Sequence, residues 1–327
     1  MIKAQKPFRF LSFFVTGGIV MKKWLLFVLL LAALPARAFD DPRQEAAAEL
    51  MRQCEAVLWK EKRTRVPGFD ERCDPGHTGL VGMLISPLTT TPGSWHDKRA
   101  AAQPEMAGAV AGYLIRAGVK EGDWIGVNST SSYPGFTLSV LCAAKTLGLN
   151  TLFALSYGSS QWGGNVPEFT VPVMLDVLRG AGLLDARIDL LTPGGIEDRI
   201  RKNLLEENAL PEVRRLMGDR PETCLVPQGH RASMAARQAL FAGRTLKAFV
   251  SCGGSWLSMG REMEHAVKLP HGLILPGQVK APPAAWNRGL IYDHLERGVP
   301  CVHLLFTRGV CADWNLPHSS GPEPDFD

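Results

Sequence analysis

The chain has 327 residues, 46% of them apolar and 21% charged, the make-up of a globular protein with a full core, which excludes a disordered or collagen-like chain. Its formal charge of +4 belongs to the first 38 residues, where Lys3, Lys6, Arg9, Lys22, Lys23 and Arg37 have no acidic counterpart. The remainder carries 30 basic against 32 acidic residues and no basic block interleaved with aromatics, so nucleic acid is not an expected partner.

In chain order, the first element is a leader. Lys22-Lys23, the apolar run Leu25 to Leu34 and Ala36-Arg-Ala38 have the three-part pattern of a secretory signal peptide, and the run is shorter than the ~20 residues a span requires. Two readings stand. Either Met21 is the true start and cleavage falls before Phe39, or the whole of 1–38 is an uncleaved anchor. Both place the rest outside the cytoplasm, in the periplasm or on the outer face of the inner membrane.

Residues 39–75 are expected to hold an amphipathic helix and a linker. Asp41, Pro42 and Gln44 have capping-box spacing, and Ala47, Leu50, Met51, Cys54 and Leu58 share one helical face. An α/β domain is expected over 76–312. Its strand candidates are Gly79–Ile85, Trp124–Val127, Leu152–Leu155, Ala186–Leu191, Leu246–Val250, Leu273–Leu275 and Cys301–Phe306. Its helices are expected at 104–117, 136–147, 171–179, 196–207 and 233–241. Short apolar strands alternating with helices predict a mostly parallel, doubly wound sheet with helices on both faces. The Pro/Ser/Gly-rich stretch 313–327 reads as a loose tail.

Seven cysteines occur, without a CxxC. Cys54 with Cys73 and Cys301 with Cys311 are the local disulfide candidates in an oxidising compartment, while Cys142 belongs to an apolar helix. Cys252, beside two glycines after a strand, reads as a nucleophile or, in preference, as a small buried residue at a tight turn. No tight His/Asp spacing suggests a metal. No phosphate-binding loop and no GxGxxG suggests a nucleotide cofactor, so none is expected. Gly158 to Gly163 has one residue too many for a GxSxG nucleophile elbow. Ser159 or Ser160 would still sit at a strand-to-helix turn, with His271, His294 and His303 downstream.

Four candidate strands end in small polar loops: Thr89–Ser94, Asn128–Gly135, Ser156–Asn165 and Ser251–Ser255. In open α/β sheets, ligands bind beyond the carboxyl ends of strands. Glycines let backbone amides approach a ligand and helix N-termini favour anions. The same residue types also make ordinary turns. In the site reading, Thr90, Thr91, Ser94, Ser131, Ser159 and Ser160 supply hydroxyls, and Gly163 and Gly164 keep the approach open. Trp162 walls the cleft, Asn165 reads an amide, and Lys98 and Arg99 neutralise carboxylates. Glu168 pairs with one of those bases, takes a substrate amine, or caps the following helix.

The stretches Ser86-Pro-Leu-Thr-Thr-Thr-Pro-Gly-Ser94 with Lys98-Arg99, Ala117-Gly-Val-Lys-Glu-Gly-Asp123, and Ser156-Tyr-Gly-Ser-Ser-Gln-Trp-Gly-Gly-Asn-Val-Pro-Glu-Phe-Thr170 resemble the poly-gamma-glutamate system protein family, sometimes called PgsW. The likeness runs from about residue 45 to about residue 260, with departures at Pro92 and Cys252. It implies an extracytoplasmic accessory protein of poly-γ-glutamate synthesis or export. The implied partners are the polymer or its chain end and the membrane-embedded synthase and export proteins. An enzyme acting on the polymer through a loop serine and a purely structural subunit are the alternatives. The resemblance brings no catalytic residues with it.

Overall fold

The computed structural model describes residues 39–327 except 219, 221–223, 281, 322, 324, 326 and 327; the leader reading lies outside the described residues. Asp41 caps α1 (Pro42–Arg65) as its spacing predicts, accepting from the backbone of Arg43 while Gln44 closes the capping box. The expected face of α1 is buried: Ala47, Met51, Cys54 and Leu58 are fully covered by α3 (Glu105–Arg116) and α4 (Pro134–Thr146).

Six strands form the main sheet. They are β2 (Trp124–Thr130), β3 (Asn150–Ser156), β5 (Leu190–Thr192), β6 (Leu246–Cys252), β7 (Gly272–Ile274) and β8 (Cys301–Leu304). Their order across the sheet is β5-β3-β2-β6-β8-β7, parallel throughout except for the edge strand β7. Side chains alternate between two cores, as the period of two in a strand requires. Phe153, Leu155, Val250 and Val302 join the core beneath α1, α3 and α4. Ala154, Phe249 and Cys301 join a second core with residues of α7 (His230–Phe241) and α10 (Leu290–Glu296). The expected α/β class and the coverage of both faces are thus present.

Two expected elements are not. Gly79–Ile85 is not a strand. It threads between α1 and the 162–165 loop, where Gly82 donates to Trp162 O (2.9 Å) and Met83 O accepts from Trp162 N (2.9 Å). A Cβ at Gly82 would lie 2.0 Å from Gly163 O, so the side chain is excluded by the closeness of the two backbones. The expected charged helix at 196–207 is reduced to a single 3-10 turn, Ile196–Asp198. Glu197, Asp198 and Ile200 take positive φ (56°, 60° and 39°), because the carboxylate of Asp198 is drawn inward by an arginine on α7.

The chain runs from β2 outward to β3 and β5 and then returns to β6 on the other side of β2. The sheet therefore reverses direction between β2 and β6, and their carboxyl ends open a crevice. A second, two-stranded parallel sheet covers that end: β1 (Thr89–Thr91) against β4 (Ser159–Ser160), with Thr89 opposite Ser159 and Thr91 opposite Ser160.

Candidate functional site

The four polar loops meet at this end of the sheet. Thr90 Oγ1 donates to Ser159 O (3.1 Å), Ser159 Oγ to Ser131 O (3.1 Å), and Ser160 N to Ser132 Oγ (3.0 Å). Gly253 packs so closely on Thr130 that a Cβ would stand 2.5 Å from its Oγ1. Together the loops enclose a cleft of about 90 Å³. Thr90, Thr91, Thr130 and Ser132 line it, with Gly158, Gly194, Gly195, His230, Gly254 and Ser255. Exposed Ile196 and Trp256, at 73% and 50%, give it apolar lips.

Beneath the cleft lies a closed polar network. Arg237 of α7 is fully buried and pairs with buried Asp198 at 2.9 Å. Its Nε donates to Asn128 Oδ1 on β2 (2.8 Å). Its Nη2 donates to Ser156 Oγ on β3 (3.0 Å) and Thr192 Oγ1 on β5 (2.9 Å), and Nη1 reaches Ser233 Oγ (2.5 Å) as well as Asp198. All five guanidinium donors are spent. One residue thus ties the carboxyl ends of three strands to the strained loop. The other Asp198 oxygen accepts from Thr192 Oγ1 and Gly194 N, both at 2.7 Å. Gly194, at φ +77°, has no alternative: a Cβ there would stand 2.6 Å from Gly158 N.

Because Arg237 and Asp198 cancel, the floor is neutral and the cleft works through local dipoles. The amides of Gly195, Ile196 and Gly254 have no hydrogen-bond partner among the described residues. The first turn of α7 opens at His230 with its unspent amides, the end of a helix that favours anions. His230 Nε2 is buried without a partner among the described residues. Burial, then Arg261, lower its pKa and hold the imidazole neutral. Glu197 stands exposed on the rim. Pockets that swallow whole small ligands span ~300–1,000 Å³; this cleft admits one polar group of a ligand, such as a carboxylate or an amide.

The residues singled out from sequence divide into several groups. Thr90 and Thr91 line the cleft. Ser131, Ser159 and Ser160 are brought to it but turned into the wall: Ser131 Oγ donates to Ser156 O (2.8 Å), and Ser160 Oγ is buried without a partner. Gly163 and Gly164 do not keep an approach open. They let backbones pack, with a Cβ at Gly163 falling 2.3 Å from Ser159 Oγ. Trp162 is 1% exposed and belongs to the core. Asn165 is a clamp rather than a reader, holding Met83 N and Met83 O (3.0 and 2.8 Å) and Thr89 Oγ1 (2.8 Å). Ser94 caps α2 (Trp95–Ala101). Exposed Glu168 lies in a 3-10 turn and caps nothing; α5 (Val171–Gly180) starts at Thr170 without a side-chain cap.

Lys98 needs a correction. Its Nζ is buried 3.2 Å above the Tyr133 ring, and desolvation pulls its pKa well below the ordinary value, so it is spent in the core and does not reach a carboxylate in the cleft. The unfolded chain holds that proton up to about pH 10 and the folded chain does not, so folding gains stability as pH rises between the two values. Lys98→Met is expected to raise the melting temperature at pH 7, with the gap to wild type closing towards pH 10. Thermal melts across that range check it. Arg99 faces a different cavity, described below.

His294 stacks on Phe249 (4.2 Å) and His303 Nδ1 contacts Pro270 O (3.1 Å); the histidine of the cleft is His230. Neither disulfide candidate is formed. The thiol of Cys142 faces Cys54, and burial raises its pKa. Cys252 is buried, its thiol pushed up to about 12. His230, Asp198 and Trp256 were not singled out from sequence. Gly194-Gly195 after β5 and Ser255 were the available signals. No protein-family model, curated protein or solved structure matches the chain.

Proposed function

We propose that the protein is an extracytoplasmic accessory component of poly-γ-glutamate synthesis or export, and that the strand-end cleft holds a carboxylate of the polymer, at its chain end. The observation that carries this reading is the meeting of four hydroxyl- and glycine-bearing loops at the switch point of the sheet. The leader pattern and the family resemblance support it from the sequence side. Hydroxyls, free amides and a helix N-terminus around a neutral floor suit one carboxylate. They do not suit a long polyanion, which Glu197 on the rim would repel. The membrane-embedded synthase and export proteins are the partners in this reading.

Gly254 offers the direct test. The atoms nearest a Cβ there, on Leu305 and Met259, lie at 3.6–4.0 Å, ordinary contact distances, so a Cβ is accommodated and adds bulk at a residue that lines the cleft. Gly254→Leu is expected to fold as wild type by circular dichroism and to bind a short γ-glutamate oligomer at least tenfold more weakly. Equal binding by the two proteins would remove the cleft from the reading. Deletion of the gene should reduce polymer made or exported.

A second reading, a hydrolase or γ-glutamyl transferase of the same polymer, is favoured by the imidazole of His230, which lines the same cleft as Ser132 and Ser255 and whose Nε2 has no partner among the described residues. Under it, deletion lengthens the polymer, and purified protein shortens or transfers γ-glutamate oligomers in a His230-dependent way.

A further inference from the structure

A second cavity, of about 440 Å³, lies between α1, the 74–78 turn, α2 and the 317–319 segment. The buried face of α1 should be apolar, yet it carries Glu55, only 6% exposed. Glu55 lines this cavity, and its Oε1 has no hydrogen-bond partner among the described residues. A buried acceptor left unmade costs ~1–3 kcal/mol, and any apolar residue at the same helical position would avoid that cost. Its neighbour Asp74 cannot donate to it and is itself satisfied, by Thr78 Oγ1 (3.0 Å) and Gly79 N (2.7 Å). Gln103 Nε2 is spent on Ala100 O (2.9 Å) and Pro317 O (2.8 Å).

Two arginines also line the cavity, Arg52 from α1 itself and Arg99 from α2. Arg52 is held by Glu49 and Glu105. Arg99 stacks on the Trp95 ring at 4.3 Å and makes no ion pair among the described residues. One lining residue therefore lacks a donor, and another presents a planar guanidinium without its anion.

We propose that this cavity binds an α-amino acid, free or as the amino end of a chain, whose ammonium donates to Glu55 Oε1 and whose carboxylate meets Arg99. The volume lies in the ~300–1,000 Å³ range of small-ligand pockets, and the guanidinium fork suits a carboxylate in two-point fashion. The site is separate from the strand-end cleft and does not rest on its assignment.

The test is calorimetric titration of the full chain with a panel of free α-amino acids, including both enantiomers of glutamate, and with their N-acetyl derivatives. At least one free amino acid is expected to bind wild type, and its N-acetyl form, which has no ammonium, to bind at least tenfold more weakly. A bound ammonium favours the ionised form of Glu55, which Gln cannot adopt, so Glu55→Gln and Arg99→Gln, checked for folding by circular dichroism, should each weaken binding tenfold or more, while Gly254→Leu binds as wild type. The proposal is overturned if no panel member binds wild type, if the N-acetyl form binds equally, or if folded Glu55→Gln retains full affinity. Loss of binding in Gly254→Leu alone would move the ligand to the strand-end cleft.

Discussion

Replacement of Arg237 by methionine is expected to destabilise the fold by about 3–5 kcal/mol, the effect of removing one partner from a buried ion pair. Arg237 spends its donors on Asn128, Ser156, Thr192, Ser233 and Asp198. Its loss strands a buried carboxylate and unties three strand ends at once. For a domain of this size the melting temperature should fall by roughly 10 °C. Arg237→Lys should be nearly as damaging, since a single ammonium cannot reproduce five fixed donors. The double variant Asp198→Asn, Arg237→Met should be clearly less unstable than the sum of the two single changes, because the stranded charge is gone. Additive losses would mean that the two residues act separately. The 194–200 loop should loosen with the pair, since its positive-φ residues are held by Asp198.

Glu55→Gln is expected to stabilise the protein at neutral and alkaline pH. Burial, with Asp74, Glu105 and Cys54 adding to it and Arg52 opposing it, raises the carboxyl to about 9 from an ordinary value of 4.5. Between those two values the folded chain keeps the proton and the unfolded chain has lost it, so stability falls as pH rises through the interval. One pKa unit corresponds to about 1.4 kcal/mol, so at pH 7 the penalty relative to acid conditions is on the order of 3 kcal/mol. Gln keeps the shape and cannot ionise. Urea unfolding at pH 5, 7 and 8.5 should give nearly equal stabilities for the two proteins at the lowest value and a widening advantage for Glu55→Gln above it. Parallel pH profiles would show that Glu55 ionises freely in the folded protein. An amino-acid ligand that donates to Glu55 would narrow the gap by stabilising the wild type alone.

Features that repeat along the chain or depend on near neighbours are legible in the residues themselves. Asp41, Pro42 and Gln44 announce the start of α1, because a cap uses residues within one turn. Leu246–Val250 and Leu152–Leu155 read as buried strands, because both faces of a covered parallel sheet must be apolar. The gathering of the loops after β2, β3 and β6 at one edge also follows from the sequence, since parallel strands put their carboxyl ends on one side; the Thr89–Ser94 loop, expected after a strand at 79–85 that does not form, reaches that edge by pairing with Ser159–Ser160. The tertiary structure alone decided which members of those loops face a ligand. Asn165, Ser159 and Gly163 have the composition of a binding loop, yet they are consumed in joining it to the 82–89 segment and the 131–132 turn, contacts between residues far apart in the chain. Gly79–Ile85 has a strand's residues but is captured by a loop some eighty residues away. The 196–207 stretch has a helix's composition but gives up that conformation because Asp198 gains more from Arg237 than a helical turn offers. Lys98 and Glu55 carry charge in the sequence, yet burial shifts both towards their neutral forms, because desolvation penalises the charged state and is fixed by the tertiary structure alone.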